Sequence, residues 1–140
     1  MIKIQRVVLP EADRGYIYFA EFTIDGDTFT KVGYSRNPNR RFLVEVEEFN
    51  DVETHVQFKN IIPMQDWMFD FPEGNPQSDY WEQRLHVVLR NAGLQYQPEI
   101  EFSGVTECYK LTPRDYKAAI DYLEENLQDM NPKLGFVIQY

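Results

Sequence analysis

An α+β domain, with a central, mostly antiparallel β-sheet flanked by three main helices, is the fold class this sequence predicts. Three observations predict it. Residues 16 to 34 alternate in side-chain character about an Asp25-Gly26 pair, the pattern of two strands joined by a two-residue turn. Two later segments, near 79–93 and 112–127, repeat apolar residues at helical spacing, and a third helical start stands at Asn37-Pro38. Finally, 140 residues at 43% hydrophobic suffice for one domain with a real core and not for two.

Element by element, Ile2 to Leu9 reads as a short, largely buried strand that ends at Pro10. Tyr16, Tyr18, Ala20, Phe22 and Ile24 alternate with Ile17, Phe19, Glu21 and Thr23, and Thr28 to Tyr34 returns after the turn. Asn37 can cap a helix whose first turn accepts Pro38; Arg41, Val44, Glu45 and Glu48 supply its faces, and it stops near Asn50-Asp51. Thr54 to Ile62 is a further strand, with Val56, Phe58 and Asn60 on one side and Pro63 at its end. An irregular insertion at about 63–77 holds Pro72, Gly74 and Pro76, and Trp67, Phe69 and Phe71 within it are expected to fold over the core.

Asp79 and Glu82 have capping-box spacing, and Trp81, Leu85, Val88, Leu89 and Ala92 form a core stripe before Gly93. Glu82 and His86 lie one turn apart beside it. Glu99 to Phe102 and Glu107 to Leu111 read as strands around Ser103-Gly104; a helix opens at Thr112-Pro113, with Tyr116, Ala119, Ile120, Leu123 and Leu127 on its apolar face. Residues 135–140 read as an added strand within a single domain spanning 1–140.

Charge narrows the classes of function. The whole chain carries −9, but residues 1–41 hold seven basic and five acidic side chains, a local +2 that leaves −11 for the rest. Neutralising a long duplex takes many cations, so DNA would be held weakly; a small cationic spot on an acidic body suits a compact anion, a briefly held phosphate or a protein partner. The single Cys108 makes no internal bridge and is expected to be a structural thiol. No run approaches the roughly 20 apolar residues of a membrane span, and a cytoplasmic protein with no membrane partner is expected.

The segments Gly15-Tyr16-Ile17-Tyr18 and Lys31-Val32-Gly33 face each other across the hairpin, followed by Ser35-Arg36-Asn37-Pro38-Asn39-Arg40-Arg41-Phe42. Phenols and guanidinium groups would meet at its mouth. Cleaving a phosphodiester requires an activated water, positive charge where negative charge builds, and a hard cation with oxygen ligands. Arg41 offers a permanent planar cation, Glu82 a carboxylate suited to Mg²⁺, and Lys31 a charge across the hairpin from Tyr18 that can depress the phenol. Each residue also has a plainer reading: half-buried tyrosines pack strands, arginines decorate helix starts, and a Glu-x-x-x-His pair is often solvated or capping.

In order, a Tyr-Ile-Tyr strand, hairpin, Lys-Val-Gly strand, Asn-Pro-x-x-Arg-Arg helix, Glu-x-x-x-His helix and Thr-Glu-Cys-Tyr segment resemble the GIY-YIG nuclease superfamily. The branch most similar is the bacteriophage-encoded DNA-binding-domain one, in which the second motif begins with Lys and a late helix carries Glu followed by Leu-His. The resemblance spans roughly residues 15 to 111. It implies a metal-dependent endonuclease hydrolysing DNA, with Tyr18 activating water, Lys31 in the place of the second tyrosine, Arg41 stabilising the phosphate and Glu82 binding Mg²⁺ or Mn²⁺. Tyr16, Gly33, Ser35, Arg36, Arg40 and His86 would contact substrate. A phage or mobile-element origin, acting in a host cytoplasm, follows from the same likeness. The alternative is a GIY-YIG fold that has lost hydrolysis and binds nucleic acid, a nucleotide-like anion or a protein partner.

Overall fold

In a computed structural model of the chain, the residues described are 2–4, 8–41, 52–69, 71, 74, 76–99, 102 and 104–128. Among the described residues five strands form one sheet: β1 (Ile2–Ile4), β2 (Tyr16–Ile24), β3 (Asp27–Ser35), β4 (Thr54–Pro63) and β5 (Cys108–Tyr109), in spatial order β1-β4-β2-β3-β5. Every pairing is antiparallel except β1 with β4. Two helices, α1 (Tyr80–Asn91) and α2 (Pro113–Gln128), accompany the sheet, and a further helical turn starts at Pro38 and is described through Arg41. The expected α+β class, with its mostly antiparallel sheet, is the one observed.

The hairpin forms as its sequence dictates. Asp25 and Gly26 both adopt positive φ, at 50° and 84°, so the chain reverses in two residues and Tyr18 falls opposite Gly33. Period-two alternation then sorts the side chains. Tyr18, Phe22, Phe29 and Phe58 pack on one face, whereas Ile17, Phe19 and Val32 turn to the face covered by Trp81, Leu85 and Leu89 of α1 and Leu123 of α2. Thr30 on that second face meets the Tyr116 hydroxyl at 2.6 Å, tying β3 to α2.

Several expectations are corrected. Among the described residues near the N-terminus, Ile2–Ile4 is strand, Val8 is 85% exposed and Leu9 lies outside any strand; residues 5–7 of the expected strand lie outside the described residues. In β4 the predicted partner of Val56 and Phe58 was Asn60. A bulge between Phe19 and Ala20 shifts the register, so Ile61 takes that face instead. The insertion is less irregular than its prolines imply, for Asp66–Phe69 is a 3-10 turn that buries Met68 and Phe69. Arg14 holds it down, with Nε 2.7 Å from Asp66 and its guanidinium 4.7 Å above the Phe69 ring. Trp67 and Phe71 pack partly buried against the same core, as expected.

Ala92, assigned to the core stripe, is exposed just past the end of α1. No strand runs through Glu99 or Phe102; residues 105–107 form a 3-10 turn, leaving β5 two residues long. Thr112 and Asp115 do cap α2, each side chain accepting the other's backbone N–H at 3.2 and 2.9 Å. Val44, Glu45 and Glu48, the helix stop near Asn50-Asp51 and the strand at 135–140 lie outside the described residues. Among those described, no helix is long and apolar enough to cross a membrane.

Candidate metal centre

Helix α1 carries Glu82 and His86 on one side, four residues apart, and the turn before β5 brings Glu107 to meet them. His86 Nε2 lies 2.6 Å from a Glu82 oxygen and 3.6 Å from a Glu107 oxygen. Its Nδ1 is 2.5 Å from the Tyr109 hydroxyl, and the imidazole stacks on the Tyr109 ring at 5.7 Å. Asp79 makes no side-chain cap to α1, contrary to the capping-box spacing. The other half of the box is missing too, for the Glu82 carboxylate is turned to His86 and to Gln83 Nε2, at 2.6 and 3.1 Å.

The three ligand atoms of Glu82, His86 and Glu107 lie within 4.8 Å of one another, and this buried group can hold a metal ion. Two oxygens and one imidazole nitrogen are donors a divalent cation accepts. Side-chain exposure is 4% for Glu82 and 2% for His86 but 26% for Glu107, so Glu107 forms the mouth. Electrostatics distinguish the two acids. Burial pushes the Glu82 carboxyl up, against the pull of His86. Burial would also raise Glu107, but its hydrogen bond with His86 and the charge of Lys31 hold it below the ordinary carboxylate value. His86 is raised despite burial, because Glu107 and Glu82 stabilise its protonated form. Burial takes the Tyr109 phenol to about 12, so it stays neutral and can bond the imidazole.

Lys31 and Tyr18 form a second group, on the opposite face of the sheet from α1. Lys31 is fully buried, and its ammonium stands 5.6 Å from the centre of the Tyr18 ring. Tyr18, 1% exposed, crosses directly over Gly33, where any Cβ would collide with its ring. Gly104 gives Lys31 the same clearance. Taking a lysine out of water costs several kcal/mol. The face of the Tyr18 ring and the charge of Glu107 offset part of that. The charge of Lys31 on Glu107 links this group to the first.

The remaining predicted site residues sit elsewhere. The Tyr16 hydroxyl donates to the Pro10 carbonyl, and burial raises its phenol. Ser35 Oγ accepts from Asn37 N–H at 3.0 Å, and Asn37 Oδ1 caps the Arg40 N–H at 3.2 Å. Arg36 Nη1 reaches the Asp13 carbonyl at 3.4 Å, while Arg40 and Arg41 are exposed on the helical turn. Tyr18 is therefore brought to Lys31 and Gly33, and Glu82 to His86, as two groups on different layers. Cys108 is buried with Sγ 3.4 Å from the Gly104 carbonyl, a packed thiol as expected.

Glu107 and Tyr109 were missed as functional residues when that segment was read as a plain strand. Their signal was a carboxylate and a phenol two residues apart in the Thr-Glu-Cys-Tyr run; the 3-10 turn that ends at Glu107, not strand alternation, sets the side the carboxylate takes. Comparison of the chain with protein-family models, curated proteins and solved structures returns no match.

Proposed function

We propose that this chain is a metal-dependent phosphodiester hydrolase acting on DNA, an endonuclease-like domain of the GIY-YIG kind. The observation that carries the reading is the Glu82–His86–Glu107 cluster, whose three possible ligand atoms lie within 4.8 Å of one another. Glu82, His86 and Glu107 would hold the ion, with Mg²⁺ or Mn²⁺ the species the resemblance implies. When bound, it supplies positive charge to the phosphate and its leaving oxygen. Tyr109 orients the imidazole through Nδ1, and the His86 hydrogen bond together with the charge of Lys31 holds Glu107 below the ordinary carboxylate value. Arg41, exposed at the start of its helix, is the guanidinium a backbone phosphate can reach. DNA is gripped briefly, given the acidic body.

One observation favours a second reading. Tyr18 and Lys31 are closed off from solvent, so the phenol does not face the water it would activate. A fold without hydrolysis would then bind nucleic acid, a nucleotide-like anion or a protein partner.

Supercoiled-plasmid nicking in Mg²⁺ or Mn²⁺ separates the two. Metal-dependent nicking by the wild type, lost in Glu82→Ala and in Arg41→Ala, is the expected result. No cleavage of duplex, branched or single-stranded DNA by a folded wild-type protein would overturn the hydrolase.

A further inference from the structure

We propose that Glu82, His86 and Glu107 form a three-ligand centre selective for a divalent first-row transition metal, such as Mn²⁺ or Zn²⁺, over Mg²⁺ and Ca²⁺. Tyr109 acts there as a positioning residue. The inference deepens the hydrolase reading and takes from it only that the cluster is a metal site.

Its basis is the donor set. Mg²⁺ and Ca²⁺ take oxygen ligands, and Mg²⁺ keeps several of its waters, which a site this buried leaves little room for. An imidazole nitrogen is a ligand that Zn²⁺ and its first-row neighbours prefer, and Mn²⁺ accepts it alongside carboxylates. His86 Nε2 points at both acids, 2.6 Å from Glu82 and 3.6 Å from Glu107. The other ring nitrogen is engaged by Tyr109 at 2.5 Å, the outer-shell hydrogen bond that fixes a ligating imidazole in its tautomer and orientation. With Nδ1–H donated to the Tyr109 oxygen, the Nε2 lone pair faces the carboxylates. The same geometry serves a proton shared between His86 and the acids, so a metal must displace that proton. The 3-10 turn at Val105–Glu107 sets the third ligand from a different part of the chain, and Glu107 at 26% side-chain exposure leaves a path for entry.

Calorimetric titration of the full chain with Zn²⁺, Mn²⁺ and Mg²⁺ in turn tests this. His55, the other histidine of the chain, lies 3.4 Å from Glu53 at the surface and would compete for Zn²⁺, so each titration is repeated in His55→Ala. One site should remain in that variant, with Mn²⁺ bound at least tenfold more tightly than Mg²⁺ and Zn²⁺ more tightly still. Tyr109→Phe should weaken Zn²⁺ binding by about 10- to 100-fold, the effect of losing an outer-shell partner, and Glu107→Gln by at least as much. Circular dichroism confirms that each variant is folded, and the comparison of ions in the wild type needs no variant. Equal affinity for Mg²⁺ and Mn²⁺, no saturable site once His55 is removed, or Zn²⁺ binding indifferent to Glu107→Gln in folded protein would overturn the centre. Selective binding without DNA cleavage would keep the centre and remove the hydrolase. Cleavage in Mg²⁺ with no preference among ions would do the reverse.

Discussion

Two clusters in this molecule are built from the same kinds of group, a carboxylate, a cation and a tyrosine, yet they do opposite things. At the hairpin turn, Asp27 lies 3.1 Å from Lys110 Nζ and 2.5 Å from the Tyr96 hydroxyl, and the Lys110 ammonium stands 4.5 Å over the Tyr96 ring and also donates to the Thr28 carbonyl. One negative charge meets one positive charge with Lys110 half exposed, so the cluster is balanced and acts as a latch between the hairpin and the chain after α1. At Glu82, His86 and Glu107, two carboxylates share a single buried imidazole, and only Glu107 reaches partly to solvent. There the charges are not balanced within the cluster, and Lys31 from the other face supplies part of the difference. The lesson is that burial and charge stoichiometry, more than residue type, separate a structural tie from a candidate reaction centre.

The largest expected effect breaks the buried cluster. His86→Ala strips a partner from Glu82 and from Tyr109 at once, and should cost about 3–5 kcal/mol in denaturant unfolding, as removal of one member of a buried pair does. Lys31→Met takes one charge from the interaction between the two layers. It should destabilise the fold by less than His86→Ala, because Glu107 keeps its hydrogen bond with His86. Nicking should fall with it, since Glu107 loses part of what holds its carboxyl below the ordinary value. Nicking at the wild-type rate in folded Lys31→Met would show Lys31 to be purely structural.

The latch should respond weakly. Asp27→Asn is expected to change unfolding free energy by under about 1 kcal/mol, the range of solvent-screened pairs, with its effect shrinking in high salt. The smallest effect is its pH signature. The Asp27 carboxyl is held below its ordinary value by Tyr96 and Lys110, so its contribution is present above the unfolded carboxylate range and is lost as pH falls through the folded value. Tyr96 is pushed up to about 12, chiefly by Asp27. Its contribution is therefore present below the unfolded phenol value of about 10 and lost as pH rises towards 12. Thermal midpoints measured across pH should lose the acid dependence in Asp27→Asn and the alkaline one in Tyr96→Phe.

How far the sequence discloses such features depends on the range of the interactions. The hairpin was legible because alternation and a two-residue turn are local, and Glu82 with His86 because one helical turn separates them. Asn60 was misplaced because a bulge is a negotiation between two strands that neither strand records alone. Glu107 and Tyr109 entered the centre through contacts of about twenty residues' separation, so spacing hinted at the pair and not at their partner. The capping box failed between two local alternatives: the Glu82 carboxylate is taken by His86 one turn further on, and Asp79 makes no side-chain cap. The resemblance gives Tyr18 and Glu82 roles in one reaction, and the sheet separates Tyr18 from the helix that carries Glu82 because odd and even strand positions face different layers.

The central claim is that Glu82, His86 and Glu107 hold the metal on which DNA hydrolysis depends. Mn²⁺-dependent nicking of supercoiled plasmid by wild type and by Glu107→Gln, run side by side on folded protein, tests it most directly. The account predicts a clear cut by the wild type and a rate at least tenfold lower for the variant. Nicking at the wild-type rate in Glu107→Gln, or none from either protein, would contradict it.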